Sequence, residues 1–292
     1  MLPTLTLTEL ADTMKIGCNT VNFRTCTFDE ALERIRRAGY EYVEIEANLS
    51  WCSHADPYKQ DPTEFKEKVA GFGFKEISAL GSHRELITDE QGARDIEYAI
   101  SWAKKAQIPI VITGEGRKPP AMSETEALDI LKRRLEKILQ KAEEEKVHVA
   151  IEPHGSLSLS TGGLEKILSS VKSPWIAVNF DTANPHRGNY VGTTRRGFEW
   201  KLEGVSKSDE ISVLRPIARF VKHVHIKDVV GRDAVALGKG EVNLRGCLSI
   251  LKQAGYQGVL SYETEGNDSP DKTQEMIEES RTYLIDMLSK LD

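Results

Sequence analysis

The chain has few cysteines and no long apolar run, and both scarcities narrow the class of protein. Its 292 residues include four cysteines, which lie far apart and form no CxxC pair. This spacing argues against a zinc knuckle or a disulfide framework and is typical of a reducing compartment. Nowhere is there an apolar run of about 18 residues, the length of a membrane-spanning helix. The opening stretch MLPTLTLTELADTMK lacks the basic start and apolar block of a secretory signal, so we expect a cytoplasmic protein.

The chain also has no excess of positive charge. Lys and Arg total 39 against 45 Asp and Glu, which gives a net charge of −6 at pH 7. A basic surface is the electrostatic footprint of proteins that bind nucleic acid or anionic membranes. The balance therefore argues against both nucleic acid and an anionic membrane as partners.

What the chain does have is a regular alternation of short apolar runs and amphipathic segments. Short runs rich in β-branched residues predict strands, and segments with apolar residues three and four apart predict helices. The predicted strands are eight in number, at residues 15–21, 42–47, 75–81, 108–114, 147–153, 175–181, 221–228 and 258–265.

Helices are predicted between these strands, several with readable ends. Thr27 and Glu30 have the spacing of a capping box at the start of the first helix, and Gly39 is a stop signal after it. Asp61 before Pro62 is typical of the next helix start. Further helices are predicted at 92–106, 123–146, 161–171, 208–220, 243–255 and 269–291.

Eight β/α units in 292 residues have the size and rhythm of a single-domain α/β protein, the (β/α)8 TIM barrel. A doubly wound open sheet is the competing layout. It is disfavoured because GCNTVNFRTC after the first strand has no GxGxxG, and GRKPP after the fourth lacks a P-loop ending. We expect an N-terminal extension at 1–14, a barrel at 15–292 with a C-terminal helix, and an inserted loop at about 185–210.

Charged and polar side chains end the last four predicted strands. A buried carboxylate is expensive to desolvate, so an acid at the end of an apolar strand implies a partner. In a barrel the carboxyl ends of all strands meet at one mouth, which brings such groups together. Two glutamates, one aspartate and one imidazole suit a divalent cation such as Mn²⁺, Mg²⁺, Co²⁺ or Zn²⁺. The four groups are Glu152, Asp181, His225 and Glu263.

Four short motifs at these strand ends carry a family resemblance. IEPHG, NFDTAN, HVHIKD and GVLSYE occur in this order at the ends of the fifth to eighth strands. With them, nearly the whole chain resembles the xylose-isomerase-like TIM barrels, the sugar isomerase and epimerase superfamily that includes endonuclease IV. The resemblance implies one divalent metal ion, with Mn²⁺ as the first candidate, and a homo-oligomer, either a dimer or a tetramer. The implied metal ligands are Glu152, Asp181, His225 and Glu263.

Two histidines of the seventh strand compete for the metal position. His223 and His225 are two residues apart and share one face of the strand, so spacing alone does not choose between them. The place at the strand end and the family pattern favour His225. We expect His223 one layer deeper, as a hydrogen-bonded core residue. Glu44 and Glu46 share a face in the same way and count as one extra acid position.

The chain departs from the family pattern after the sixth strand. Asn184 stands where many members have a histidine, and His186 follows two positions later. The three-zinc cluster of endonuclease IV needs many more ligands than the seven histidines of this chain allow, and there is no basic track for DNA, so we exclude a nuclease. The candidate substrate-binding residues lie at the mouth: His83, His154, Asn184, His186, Lys227 and Arg232.

The resemblance implies proton abstraction as the chemistry. A divalent ion that binds adjacent hydroxyl and carbonyl oxygens of a sugar acidifies the C–H between them. Glu152 and Glu263 are the implied acid/base pair, which moves the proton of a keto sugar or related polyol through a metal-bound enediolate. Return of the proton to the opposite face of the same carbon is epimerisation. Return to the neighbouring carbon is isomerisation.

Two other functions stay open at this point. A metal-dependent lyase or dehydratase would abstract the same proton from a keto sugar or 3-keto-glycoside and then expel a group from the next carbon. A non-catalytic sugar-binding barrel predicts no exchange of the carbon-bound hydrogen with solvent. Phosphate recognition is open as well, because Gly238 and Gly240 either hold an anion or only shape a turn.

Overall fold

Eight parallel strands close into the barrel that the sequence predicts. The structure is a computed structural model that describes residues 14–49, 51–188, 202, 205–266 and 268–291. Each barrel strand pairs in parallel with its neighbours, and the first pairs with both the second and the last. The barrel strands are β1 (Lys15–Asn19), β2 (Tyr42–Asn48), β3 (Glu76–Gly81), β4 (Ile110–Thr113), β5 (His148–Ile151), β6 (Ile176–Asp181), β7 (Val221–Ile226) and β8 (Val259–Tyr262).

Helices connect the strands and pack on the outside of the barrel. The predicted capping box is present, because Thr27 accepts a hydrogen bond from the Glu30 amide while the Glu30 side chain accepts one from the Thr27 amide. Among the described residues, no helix combines the length and apolar character needed to cross a bilayer. The helices are α1 (Phe28–Arg37), α2 (Pro62–Gly71), α3 (Glu90–Lys105), α4 (Glu124–Glu145), α5 (Gly163–Ser170), α6 (Asn184–Arg187), α7 (Glu210–Ile217), α8 (Leu244–Gln253) and α9 (Pro270–Ser289).

Several short elements were not predicted. Strand β1 ends two residues early because the Asn19 side chain accepts a hydrogen bond from the Val21 amide and caps a 3₁₀ turn. A two-residue strand, Cys52–Ser53, pairs antiparallel with β2. After β7, Asp228–Val230 and Asp233–Val235 form a small antiparallel hairpin at the mouth. These additions lengthen the loops at the carboxyl ends of the strands.

Two predicted segments fall largely outside the described residues. Residues 1–13 of the predicted N-terminal extension are outside them, as are 189–201 and 203–204 of the predicted insertion. The described start of the insertion contains the short helix α6. The Ser208 amide donates to the Pro185 carbonyl at 2.9 Å, so the two ends of the insertion are joined at its base.

Strand alternation places two polar layers inside the barrel. The lower interior is filled by small and aliphatic side chains from β3 to β6, including Ala150 and Ala177. Above them, Asn179 of β6 lies beside His223 of β7, and the next inward pair is Asp181 beside His225. The outward-facing side chains of the same strands pack under the helices, each contributing about 1.5–3 kcal/mol on burial. The fold therefore presents the polar strand ends on a rigid, packed scaffold.

Candidate active site

The four predicted metal ligands meet at the mouth of the barrel. Glu152 is the first residue after β5, Asp181 ends β6, His225 lies one residue from the end of β7, and Glu263 directly follows β8. All four residues are buried, and one ligand atom from each lies within 4.8 Å of the others. We call Glu152, Asp181, His225 and Glu263 the quartet.

Three atoms of the quartet converge without hydrogen bonds of their own. His225 Nδ1 lies 2.8 Å from Glu263 Oε2 and 3.3 Å from Glu152 Oε2. Neither Nδ1, Glu263 Oε2 nor Asp181 Oδ2 makes a hydrogen bond within the described part of the chain. Buried oxygen and nitrogen atoms that make no hydrogen bond and lie close together can be satisfied by a divalent cation. The residues present therefore fit a divalent metal ion.

The backbone explains why Asp181 leaves one oxygen available. Its Oδ1 accepts hydrogen bonds from the amides of Ala183 and Asn184 at 2.7 and 2.8 Å. This turn fixes the carboxylate and directs Oδ2 towards His225 and Glu263. The DTAN sequence thus fixes one oxygen of Asp181 through local hydrogen bonds and leaves the other, Oδ2, facing the mouth.

Glu44 holds the outer nitrogen of His225. His225 Nε2 lies 2.8 Å from Glu44 Oε1, on the side of the ring opposite the quartet. Burial alone would lower the pKa of His225, but the charges of Glu263, Glu44 and Glu152 outweigh it and hold the pKa well above the ordinary value. A carboxylate behind a metal-binding histidine fixes its orientation and tautomer. Glu44 therefore serves to present Nδ1 to the quartet.

A buried lysine offsets the negative charge of the quartet. Lys227 Nζ lies 2.8 Å from Asp181 Oδ2, 3.2 Å from Glu263 Oε2 and 2.8 Å from Glu265 Oε2. Burial opposes the charged form of Lys227, but Asp181, Glu263 and Glu265 raise its pKa well above the ordinary value. The Thr182 hydroxyl holds the backbone of Lys227 in place, because it accepts a hydrogen bond from the Lys227 amide and donates one to the Lys227 carbonyl. Lys227 thus contacts three carboxylates at the site for which the sequence predicts a substrate contact.

The two glutamates of the quartet differ in acidity. Burial raises the pKa of Glu152, with His225 and His154 acting in the opposite direction. Burial also opposes ionisation of Glu263, but the charges of His225 and Lys227 outweigh it and lower the pKa of Glu263 to about 2. Neighbouring carboxyl groups whose environments separate their pKa values in this way are suited to opposite acid/base roles.

Two predicted substrate-binding histidines flank Glu152. His83 Nε2 lies 3.1 Å from Glu152 Oε2, and His154 Nδ1 lies 3.7 Å from Glu152 Oε1. The two rings meet edge to face with centroids 5.3 Å apart. Burial and the nearby His154 and His225 lower the pKa of His83 to about 3, so its ring is neutral near pH 7. Both rings line the mouth beside Glu152.

Two asparagines orient the Glu152 carboxylate. Asn184 Nδ2 donates to Glu152 Oε1 at 3.0 Å, and Asn179 Nδ2 donates to Oε2 at 3.1 Å. Asn184, the position of the family departure, therefore contacts a quartet residue directly. Asn179 was not singled out from the sequence, although its place two residues before Asp181 on the same face was a usable signal.

The layer beneath the quartet contains the histidine that the sequence expects in the core. His223 Nδ1 lies 2.9 Å from Asn179 Oδ1, and His223 Nε2 lies 3.2 Å from Ser78 Oγ. Ser78 in turn donates to the carbonyl of Val43 at 3.3 Å. Both ring nitrogens of His223 are thus occupied by hydrogen bonds, in contrast to the open nitrogen of His225.

The second acid of β2 is held by amides. Glu46 Oε1 accepts from Asn19 Nδ2 at 2.8 Å, and Asn48 Nδ2 donates to Oε2. Burial, together with Glu44 and Glu263, raises the pKa of Glu46 to about 8. Gly81 of β3 leaves room for this carboxyl, since a Cβ there would lie 2.5 Å from Glu46 Oε1. Glu44 and Glu46 therefore have separate partners, which the sequence, counting one position, did not distinguish.

Other candidates lie further out. His186 Nδ1 is 3.5 Å from Glu210 Oε2, and its Nε2 is 3.2 Å from Glu241 Oε2, at the base of the insertion. Arg232 is exposed in the turn of the mouth hairpin. Their roles in substrate binding stay predictions.

The glycines that the sequence left open between an anion site and a turn form a turn. The amides of Gly238 and Gly240 both donate to Asp228 Oδ2 at 2.9 Å. The amide of Val242 donates to Asp228 Oδ1 at 3.1 Å. Because Asp228 occupies these donors, the LGKGEVN segment is shaped around a carboxylate of the chain itself.

Comparisons with known proteins agree with this architecture. A D-tagatose 3-epimerase-like protein has a TM-score of 0.74 at 18% identity, over 95% of this chain and 98% of that chain. The IolI protein with a bound zinc atom has a TM-score of 0.73 at 18% identity, over 96% and 99%. The probable 3-DHS dehydratase AsbF of Bacillus anthracis has a TM-score of 0.70 at 15% identity, over 93% and 99%. At these identities the likeness shows the fold.

Sequence comparison gives the family. The uncharacterized protein MJ1311 of Methanocaldococcus jannaschii is 25% identical over an alignment of 192 residues that covers 63% of this chain and 60% of that relative. The chain thus spans less than two thirds of the curated relative it matches. A family model described as xylose isomerase-like TIM barrel matches residues 32–286. With the closed eight-stranded barrel, this match establishes that the chain belongs to the xylose isomerase-like TIM barrel family.

Proposed function

We propose that the protein is a divalent-metal-dependent isomerase or epimerase acting on a keto sugar or related polyol. The observation that carries this proposal is the quartet, in which Asp181 Oδ2, His225 Nδ1 and Glu263 Oε2 converge without hydrogen-bond partners among the described residues. Glu152, Asp181, His225 and Glu263 would hold the ion, with Mn²⁺ as the first candidate and Mg²⁺, Co²⁺ or Zn²⁺ as the others. The zinc atom in the IolI structure supports a divalent ion in a similar barrel.

The ion would supply Lewis acidity and a template for adjacent oxygens of the sugar. Glu263, held ionised by His225 and Lys227, would remove the carbon-bound proton. Glu152, whose pKa burial raises, would return a proton as the acid. Asn179 and Asn184 fix the Glu152 carboxylate.

Substrate positioning is proposed for the polar groups around Glu152. His83 and His154 present ring nitrogens at the mouth, where they would bind sugar oxygens. A neutral His83 can donate or accept a hydrogen bond, which suits a hydroxyl group. Lys227 would influence the substrate indirectly, because its positive charge contacts the carboxylates of Glu263 and Asp181.

Hydrogen exchange in D₂O tests this proposal. Manganese-loaded protein is incubated with a panel of keto sugars, sugar phosphates, ketoinositols and 3-keto-glycosides, and deuterium at the carbon acid is measured by NMR. Glu152→Gln and Glu263→Gln should each reduce exchange by about 100-fold or more, because a positioned acid or base contributes about 10²–10⁴-fold. Glu67→Gln, an isosteric change on the exposed face of α2, is the matched control.

The outcomes are distinct. Exchange that both quartet variants retain at the wild-type rate would contradict the acid/base assignment. Loss of a leaving group in place of stereochemical exchange would identify a lyase or dehydratase on the same site, a reaction class named for the similar AsbF structure. Absence of exchange throughout a broad panel would favour a non-catalytic barrel.

A further inference from the structure

A buried arginine beside the quartet has almost no partner in the described structure. Arg187 is the last residue of α6, and its side chain is 0% exposed. Its Nε, Nη1 and Nη2 atoms make no hydrogen bond to any residue that the structure describes. The Nη1 atom forms an ion pair with Glu265 Oε2 at 3.6 Å, which is longer than a hydrogen bond.

Glu265 does not satisfy this guanidinium. Its Oε2 atom already accepts a hydrogen bond from Lys227 Nζ at 2.8 Å, so one carboxylate oxygen is shared between two cations. A guanidinium keeps its charge in proteins and offers five N–H donors. Burying such a charge without hydrogen bonds is strongly unfavourable unless a partner is supplied. Arg187 therefore calls for a further negatively charged group.

The guanidinium lies at the mouth, next to the quartet. Arg187 follows β6 by six residues and Glu265 follows β8 by three, so both belong to the loops at the carboxyl ends of the strands. Lys227 Nζ, which contacts Glu265, also lies 3.2 Å from Glu263 Oε2 and 2.8 Å from Asp181 Oδ2. One carboxylate and one ammonium thus separate Arg187 from the quartet.

The backbone holds Arg187 in this place. Its amide donates to the Ala183 carbonyl at 2.8 Å, closing the short turn of α6. The next residue, Gly188, has φ +69°, and a Cβ there would lie 2.4 Å from the Lys207 amide nitrogen. Only glycine permits so close an approach of the two backbone segments. The turn that carries Arg187 is therefore packed against the far end of the insertion.

We propose that Arg187 binds an anionic group, a carboxylate or a phosphate, of the substrate that the quartet acts on. This rests on the proposed function, since the quartet defines the reacting end of the substrate. A guanidinium presents a planar pair of donors that matches both anions, whereas a neutral hydroxyl accepts one N–H and leaves the charge uncompensated. The substrate class is thereby narrowed to keto sugars that carry an acidic group.

Matched sugars test this selectivity. Deuterium exchange is measured for fructose, fructose 6-phosphate and 5-ketogluconate with manganese-loaded protein. Exchange with one of the two anionic sugars should exceed that with fructose by about 100-fold in kcat/KM, as expected for a charge-assisted hydrogen-bond pair. Arg187→Met should reduce exchange with the anionic sugar, mainly through KM, by a much larger factor than exchange with fructose. Arg187→Lys should recover part of it, because the charge is kept and the planar fork is lost.

Calorimetry with inorganic phosphate and with malonate measures the anion site without turnover. The wild type should bind one of them, which identifies a phosphate or a carboxylate as the favoured group, and Arg187→Met should weaken that affinity by about tenfold or more. Arg215→Met, on the exposed face of α7, removes an equal charge as the matched control and should change neither measurement.

Two results would overturn the inference. The first is an anion affinity that is unchanged in folded Arg187→Met protein, with Arg187→Lys as a second folded variant. The second is an equal fall of exchange with neutral and anionic sugars. Either result would mean that Arg187 serves only as the ion-pair partner of Glu265. If anion binding depends on Arg187 but no sugar exchanges, the proposed function fails while the anion site stands. If fructose and the anionic sugars exchange equally well in the wild type, the proposed function stands and the anion preference fails.

Discussion

Two neighbouring layers of one barrel interior handle their polar groups in opposite ways. In the lower of the two polar layers, hydrogen bonds of 2.9 and 3.2 Å join His223 to Asn179 and Ser78. These bonds occupy both ring nitrogens of His223. In the mouth layer, two residues further along β7, His225 Nδ1 faces Asp181 Oδ2 and Glu263 Oε2, and none of these three atoms makes a hydrogen bond within the described residues. Two histidines on the same strand face thus differ: both ring nitrogens of His223 have hydrogen-bond partners, whereas Nδ1 of His225 has none among the described residues.

Under the proposed function, this difference separates a structural polar group, His223, from a metal ligand, His225. A buried network that is fully hydrogen-bonded rigidifies the core, whereas buried atoms without partners destabilise the fold until something binds them. Burial and residue type are equal for His223 and His225. What distinguishes them is whether their partners already belong to the chain.

The largest expected effect is the loss of metal affinity in His225→Gln. Four protein ligands together supply about 10–16 kcal/mol of binding to a structural zinc ion, so the loss of one should weaken Mn²⁺ binding by about 100-fold or more. Titration followed by electron paramagnetic resonance measures this affinity. An affinity equal to that of the wild type would mean that the ion binds elsewhere. His225 would then differ from His223 in no functional respect.

The second effect falls on stability instead of metal binding. His223→Ala leaves Asn179 Oδ1 and Ser78 Oγ without their ring partner, and each unsatisfied buried group costs about 1–3 kcal/mol. We expect the free energy of unfolding in urea to fall by about 2–4 kcal/mol, while the folded variant still binds Mn²⁺. A variant that keeps its stability but loses the ion would reverse the roles of the two layers.

A smaller effect is expected from Glu44→Gln. The change keeps the shape of the side chain but removes the carboxylate that holds His225 Nε2 at 2.8 Å. Outer carboxylates of this kind are worth about 10–100-fold in metal affinity, so we expect a loss in that range by calorimetry. Glu67→Gln on the exposed face of α2 serves as control, and an equal loss in both variants would argue against a specific role for Glu44.

The last expected effect is a change in the pH dependence of stability, which is small over any one pH unit. Glu46 has a folded-state pKa of about 8, raised by burial, so the folded protein binds one more proton than the unfolded chain between about pH 5 and pH 8. The stability that this group contributes is therefore present at low pH and is lost as the pH rises through this window, by at most about 1.4 kcal/mol per pH unit. Glu46→Gln should flatten the slope in metal-free protein. An unchanged slope would mean that Glu46 is ionised when folded.

Much of the fold follows from the strand and helix pattern. All eight predicted strands are present and close into the predicted barrel. Their ends were less accurate, because local caps decide them: Asn19 turns the chain after β1, and Pro153 follows soon after the end of β5. Helix α6 was expected as loop, since a four-residue helix is too short to show apolar periodicity.

The candidate site was only partly legible in the sequence. The quartet stood out because its members end successive strands, and the structure brings them together. Arg187 gave no such signal, because it lies in a predicted loop, where charged residues are usually solvated. Its significance comes from burial, which sequence alone does not give for a loop. Dimer or tetramer assembly and the cytoplasmic location stay predictions.

Anomalous diffraction from crystals soaked in Mn²⁺ tests the central claim most directly. We expect one strong manganese peak bound by Glu152, Asp181, His225 and Glu263, with ligand distances of about 2.0–2.5 Å. The His223 layer should carry no peak. A mouth without manganese at saturating concentration, or an ion bound by other residues while the quartet keeps its contacts, would contradict it.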